Sequence, residues 1–337
     1  MADKIKVAVC WAASCGGCDV SLLDIEEHLL ELARIADIVY WPVAMDFKRE
    51  AFLSLPPGSV DFGLFNGAVR TSEQAEDAAS FRSRCKVLVA FGSCACFGGI
   101  PGLANLADRD RVFETAYHTT PSTENPDGLH PETETTAGDH LLTLPAFFDT
   151  VQSLPQVVDV DVLVPGCPPP TERILDLLQV VATYVKTGKV PPKGTVVATD
   201  KALCDECPRG KTREGGRMSD IVRPHQKVAD PERCFLDQGI LCMGMATRGG
   251  CGATCIQANM PCRGCFGPTP DMLDPGAEAM SAIGSIAGEA NENDVPAHEM
   301  KRAVRSVRDP VGTFYRFTLP SAFLNRAVAD EPAKEES

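Results

Sequence analysis

The hydrophobic pattern divides this chain in two. In the first half, short and nearly unbroken apolar runs alternate with stretches whose apolar residues return every three to four positions. KIKVAVCWA (4–12), DIVYWPVAM (37–45), VDFGLFNGAV (60–69), KVLVAFGSC (86–94) and VDVDVLVPGC (158–167) predict strands. SLLDIEEHLLELARIA (21–36), SEQAEDAASFRSR (72–84) and TERILDLLQVVATYVKTG (171–188) predict helices, the second opened by Thr71 or Ser72 and the third closed at Gly188. Val, Ile and Leu runs without alternation belong to strands buried on both faces. The β–α alternation makes the sheet parallel with right-handed crossovers.

Past KTGKVPPKG (186–194), whose Pro and Gly mark a linker, the periodicity fades. Residues 195–275 hold eight cysteines among many Gly and Pro, too little regular apolar surface to fold without a staple. Residues 277–289 and 297–307 predict helices, GTFYRFTL (312–319) a short strand, and ADEPAKEES a frayed tail. Between the fourth and fifth strands, residues 98–157 form an insertion with a polar centre, expected as a surface loop. The expected class is α/β: a flavodoxin-like parallel sheet domain over 1–190, then an irregular, cysteine-rich domain over 195–320, then a disordered tail over 321–337.

Charge and composition narrow the partner. The net charge is -14 and no Lys/Arg cluster stands out to neutralise phosphates, so no nucleic acid is expected and a protein partner is. No run of about 18 apolar residues exists, so no membrane span is expected. The start, MADKIKVAVC, passes from charge directly into a strand, which predicts a soluble, cytoplasmic protein. In that compartment the fifteen cysteines are not disulfides, and metal ligation becomes the leading chemistry.

The spacing of those cysteines follows the predicted sheet. Cys15 and Cys18 come after strand one, Cys94 after strand four and Cys167 after strand five. The C-terminal ends of parallel strands share one edge, so four thiolates distant in sequence meet there. Four thiolates suit a tetrahedral zinc or a 4Fe-4S cube. Glycines 16, 17, 92 and 166 and the Pro168-Pro169-Pro170 run let backbone N–H groups approach an anionic centre. Cys204, Cys207, Cys234, Cys242, Cys251, Cys255, Cys262 and Cys265 are enough for two further four-sulfur sites, although eight cysteines allow many partitions. The twelve leave Cys10, Cys85 and Cys96 over. Three four-sulfur sites in one chain favour electron transfer over structural zinc.

CGGCD (15–19), GSCA (92–95), PGCPPP (165–170), ILCMG (240–244) and PCRGCFGPT (261–269), in this order and spacing, carry a resemblance. Over about residues 4–320 the chain resembles the small, electron-transferring subunit of nickel-iron hydrogenases, most closely the cytoplasmic methyl-viologen-reducing type that associates with heterodisulfide reductase. That resemblance implies three 4Fe-4S clusters in this chain and a nickel-iron centre in a separate large subunit. It implies a proximal cluster on Cys15, Cys18, Cys94 and Cys167, a medial one on Cys251, Cys255, Cys262 and Cys265, and a distal one on Cys204, Cys207, Cys234 and Cys242. The irregular second domain is then an iron-sulfur domain. Electrons would leave towards a small iron-sulfur adaptor subunit and a heterodisulfide reductase-like complex, or another iron-sulfur or flavin partner. Two departures from the periplasmic enzymes stand out: Cys204 replaces a distal His ligand, and Cys255 replaces a Pro in the medial loop. More thiolates add negative charge and imply lower potentials.

The same fold half occurs in the iron-sulfur subunit of quinone-reducing, ion-pumping complexes, and the same subunit pair serves hydrogen-sensing regulators; both are alternatives. Cys96 competes with Cys94 as a proximal ligand, and a strand-end turn admits one of them. Cys10 and Cys85 read as small buried apolar residues. Asp19 reads as a carboxylate at a helix N-terminus, or as a proton relay near the proximal site. His28, His118, His130 and His140 read as solvated or packing residues, and nothing selects a ligand role for His225. Lys211-Thr212 lacks the upstream Gly of a phosphate loop, and no G-x-G-x-x-G follows a strand, so nucleotide binding by either motif is excluded.

Overall fold

The computed structural model describes residues 4–214, 218, 221–288 and 305–323. Six parallel strands form the main sheet: β1 (Ile5–Trp11), β2 (Ala36–Tyr40), β3 (Val60–Asn66), β5 (Cys85–Phe91), β9 (Val162–Val164) and β10 (Thr195–Val196). Their spatial order is β10-β9-β5-β3-β1-β2, every pairing parallel. The order reverses at β1 and β3, which makes the C-terminal ends there the switch point where such sheets bind their ligands.

Side chains alternate between two cores, as the pleat requires. Val7, Val9, Phe62, Leu64, Val87 and Val89 face α1 (Gly17–Leu23), α2 (His28–Ile35) and α7 (Thr171–Thr187). Ala8, Cys10, Phe65, Leu88 and Ala90 face α3 (Arg49–Leu53) and α4 (Ser72–Arg84). Phe81 of α4 is 1% exposed, with its ring 4.5 Å from that of Phe52. Thr71 opens α4 with a capping box: its hydroxyl accepts from Gln74 N at 3.3 Å, and the Gln74 side chain accepts from Thr71 N at 3.1 Å. A single short turn of helix, α5 (Ser93–Phe97), follows β5 directly.

Several expectations are corrected. The single helix expected over 21–36 is two, α1 and α2, with Glu26 at φ 52° between them. The stripe of Leu22, Ile25, Leu29 and Leu32 still meets the sheet, so the apolar period survives a break in the hydrogen-bond ladder. β2 stops at Tyr40 because Pro42 has no N–H for a ladder. The run expected as one strand over 60–69 divides into β3 and β4 (Val69–Thr71).

The insertion is not all loop. Its last part, β8 (Phe147–Gln152), pairs antiparallel with β4, and buried Asn105 clamps it by accepting from Val151 N at 2.7 Å and donating to Val151 O at 2.9 Å. Its centre carries α6 (Arg109–Glu114) and an exposed hairpin of β6 (Glu134–Ala137) and β7 (His140–Thr143).

The cysteine-rich half has little regular structure. Two four-residue helices, α8 (Leu203–Glu206) and α9 (Thr254–Gln257), and the longer α10 (Pro275–Gly288) surround a core of Phe235, Ile240, Met243 and Ile256. GTFYRFTL is not a strand: Pro310–Phe314 is a helix, and a tight turn at Leu319–Ser321 follows. The sequence signal was Asp309 before Pro310. The Asp309 side chain accepts from Gly312 N at 2.9 Å, while Pro fits the first helical position. The expected tail lies almost wholly outside the described residues, as does all but the last turn of the helix expected over 297–307.

Candidate iron-sulfur sites

The turn after β1 and the start of α1 carry Cys15 and Cys18, α5 after β5 carries Cys94, and the turn after β9 carries Cys167. Parallel topology brings all four to the same edge. Burial first, then Cys94, Cys167 and Cys15, push the Cys18 thiol well above its ordinary value. Burial first, then Cys167, push Cys94 up to about 11. Gly92 sits between the two arms of the set at φ 86°, and a Cβ there would run into Cys18 Sγ. Only glycine allows β5 to turn this close to the thiol.

Cys204, Cys207, Cys234 and Cys242 line one cavity of about 120 Å³. A Cβ at Gly244 would lie 3.4 Å from Cys204 Sγ and 3.6 Å from Cys242 Sγ, so both sulfurs converge on the space this glycine leaves open. Burial and then Cys242, Cys207 and Cys234 push Cys204 up to about 12. In the loop around α9, burial and then Cys251, Cys167 and Cys255 push Cys265 up to about 12. Cys262 lies between groups: burial raises its thiol, followed by Cys242 and then Cys265.

The 251–265 loop touches both other thiol-bearing segments: Ser93 Oγ, beside Cys94, donates to Cys265 O at 2.6 Å, and Met243 N, beside Cys242, donates to Cys262 O at 3.1 Å.

Four thiols at one sheet edge and four around one cavity would suit a cube with one thiolate per iron corner. Burial raises the thiols of Cys18, Cys94, Cys167, Cys204, Cys234, Cys242, Cys251, Cys262 and Cys265, so cationic metal would have to compensate their charge for them to bind as thiolates.

Cys96 points away from the edge set: it is 3% exposed, and its thiol donates to Ala90 O at 3.3 Å. Cys10 and Cys85 are buried in the core beneath α4. Asp19, in the first turn of α1, is buried at 4% exposure. It accepts from Trp41 Nε1 at 2.9 Å and from Asn66 Nδ2. Burial raises its carboxyl above the usual range despite those hydrogen bonds. His28 pairs loosely with Glu31 at 3.5 Å, and His118 and His130 stand 6.4 Å apart, ring to ring.

Sequence reasoning missed three charged residues near the thiols. Glu206, inside the Cys204–Cys207 pair, accepts from Gly250 N at 2.9 Å and lies 3.8 Å from Cys251 Sγ. Its position between two cysteines was the available signal. Buried Arg209 stacks 4.1 Å over Phe235 and donates to Asn259 Oδ1 at 2.7 Å beside the four-cysteine cavity. Arg263 follows Cys262; burial and then Arg316 pull its guanidinium below the usual range.

The flavodoxin-like sheet with a cysteine-rich second half is the fold of a hydrogenase small subunit: it matches a [NiFeSe] hydrogenase chain from Desulfovibrio vulgaris Hildenborough with a TM-score of 0.50 and 16% identity, over 80% of this chain and 95% of that one. The family model for the NADH ubiquinone oxidoreductase 20 kDa subunit matches residues 15–181, the sheet half. Full-length relatives are more specific. The iron-sulfur subunit of the F420-non-reducing hydrogenase of Archaeoglobus profundus is 38% identical over 96% of this chain and 99% of its own. Its counterpart in the F420-non-reducing hydrogenase of Methanothermobacter marburgensis is 36% identical over 98% and 99%. The chain belongs to this family of F420-non-reducing hydrogenase iron-sulfur subunits, and so is a subunit of a [NiFe] hydrogenase. No helix among the described residues is long and apolar enough to cross a membrane.

Proposed function

We propose that this chain relays electrons through three 4Fe-4S clusters between a nickel-iron large subunit and a further iron-sulfur or flavin partner. The observation that carries this reading is that the 251–265 loop hydrogen-bonds to both other thiol-bearing segments, to Ser93 beside Cys94 and to Met243 beside Cys242. Cys15, Cys18, Cys94 and Cys167 would hold the proximal cluster, Cys251, Cys255, Cys262 and Cys265 the medial, and Cys204, Cys207, Cys234 and Cys242 the distal. Bound clusters supply one-electron transfer.

The protein's own work is positional. Gly92 and Gly244 leave room for the sulfurs, Arg209 and Arg213 set positive charge beside the distal cavity, and Glu206 sets negative charge beside Cys251. Cys15 and Cys167 are exposed at the sheet edge, so a large-subunit partner covering that edge would exclude water from the proximal cluster. The relatives' name fits an acceptor other than F420, and a small iron-sulfur adaptor with a heterodisulfide reductase-like complex is the partner we infer at the distal end.

The test is iron, acid-labile sulfide and zinc analysis, with low-temperature electron paramagnetic resonance after reduction, on the chain purified anaerobically with its partners. About twelve irons and twelve sulfides per chain, with four-iron signals alone, are expected. Three zincs and no reducible signal would overturn the relay.

A further inference from the structure

A second cavity, of about 200 Å³, adjoins the thiol sites but contains no cysteine. It is walled by Arg223, Arg263, Arg308 and Arg316 together with His225, and among the described residues Asp309 is the one carboxylate in its lining. Asp309 Oδ1 is already occupied, accepting from Gly312 N at 2.9 Å. Arg316 Nε donates to Gly312 O at 2.9 Å, which anchors that side chain without neutralising it. Among the described residues no carboxylate forms an ion pair with any of the four guanidiniums, whereas Arg82, Arg49 and Arg248 elsewhere each have one.

The chain carries 46 acidic against 32 basic residues, so acids to pair these arginines were plentiful in the sequence. Three separate segments instead bring four cations to one concave space. Like charges held together and partly desolvated oppose folding unless an anion joins them. Among the described residues, four guanidiniums against one carboxylate leave an excess that a single carboxylate ligand would not balance. Planar guanidinium forks also match the paired oxygens of a tetrahedral oxyanion.

We propose that this cavity binds a phosphate dianion, either inorganic phosphate or the phosphate group of a nucleotide. Leu241, which lines it, precedes Cys242, and Arg263 follows Cys262. A bound dianion would therefore add negative charge beside the outgoing end of the relay and lower the potential there. This electrostatic consequence rests on the relay reading; the binding itself does not.

Equilibrium dialysis of radiolabelled inorganic phosphate against the anaerobically purified heteromeric complex tests the site. One phosphate per chain is expected, with affinity reduced about ten-fold in each of Arg223→Met, Arg308→Met and Arg316→Met, the loss of one charge-assisted contact, and with iron content retained. Arg308→Lys, which keeps the charge, should recover part of that loss. ADP displacing the label more strongly than unlabelled phosphate identifies a nucleotide; displacement no stronger identifies free phosphate. Potentiometric resonance should show one cluster signal moving to lower potential with phosphate present. Binding no greater than in a chloride control, or unchanged in all three Met variants, overturns the site. If iron is present and phosphate does not bind, the relay stands and the pocket falls; if phosphate binds where no reducible cluster exists, the relay falls and the pocket stands.

Discussion

The Ser93 hydroxyl donates to the Cys265 carbonyl at 2.6 Å, joining the turn after β5 to the loop that carries the last cysteine pair. Ser93 is 1% exposed, so the contact is shielded from competing water. Gly99 N donating to Phe317 O at 3.0 Å and Gln156 Nε2 donating to Pro320 O at 2.6 Å join the halves at further points. The spacing between the edge set and the 251–265 set is thus held by hydrogen bonds across the two halves.

Ser93→Ala leaves the Cys265 carbonyl without its donor and should cost about 1–3 kcal/mol. A lower urea midpoint of the cluster-loaded complex would show it, whereas an unchanged midpoint would mean the contact is replaced by water.

Gly92→Ala combines a left-handed backbone, costing about 1–3 kcal/mol for a residue with a Cβ, with a collision at Cys18 Sγ. The variant should lose the iron of one cluster, about four atoms per chain, while the other two signals persist. Metal analysis with resonance decides this, and full iron content would remove Cys18 from the ligand set.

Cys255→Ala should convert one four-iron signal into a three-iron signal, since three thiolates of that loop remain. Retention of all four-iron signals would mean that Cys255 is not a ligand.

Asp61 supplies a pH dependence away from the clusters. Burial alone would raise its carboxyl, but hydrogen bonds from Lys86 Nζ at 2.8 Å, Lys6 N at 2.8 Å and Tyr184 Oη at 3.0 Å hold it below the usual range. A carboxyl depressed in the folded state adds stability that is present above its unfolded value of about 3.9 and is lost as pH falls through the folded value. Asp61→Asn should therefore unfold at lower urea than the parent at pH 7, with the difference closing below about pH 4. A gap independent of pH would show that the carboxylate charge contributes nothing.

The sheet was legible because strands buried on both faces cannot hide their composition: VDFGLFN and CKVLVAF are apolar almost throughout, and both are central strands. The Thr71 cap and Gly188 stop of the flanking helices were legible for the same local reason. The insertion was not, because the pairing of β8 with β4 and the Asn105 clamp span tens of residues and leave no local period. GTFYRFTL misled through its aromatic content: Phe314, Tyr315 and Phe317 are all buried where a short helix passes into a turn, which imitates a strand in one dimension.

By itself the sequence determined the topology and supplied the thiols. Thiolate count and spacing are covalent facts, and β–α alternation restricts the connections to right-handed crossovers that gather strand ends at one edge. Tertiary structure alone decided that the 251–265 loop touches both other thiol-bearing segments, and that four arginines from three segments share one cavity. Those relationships depend on how loops without regular hydrogen bonding pack against one another. Such packing follows from the whole core and leaves no periodic trace in the chain.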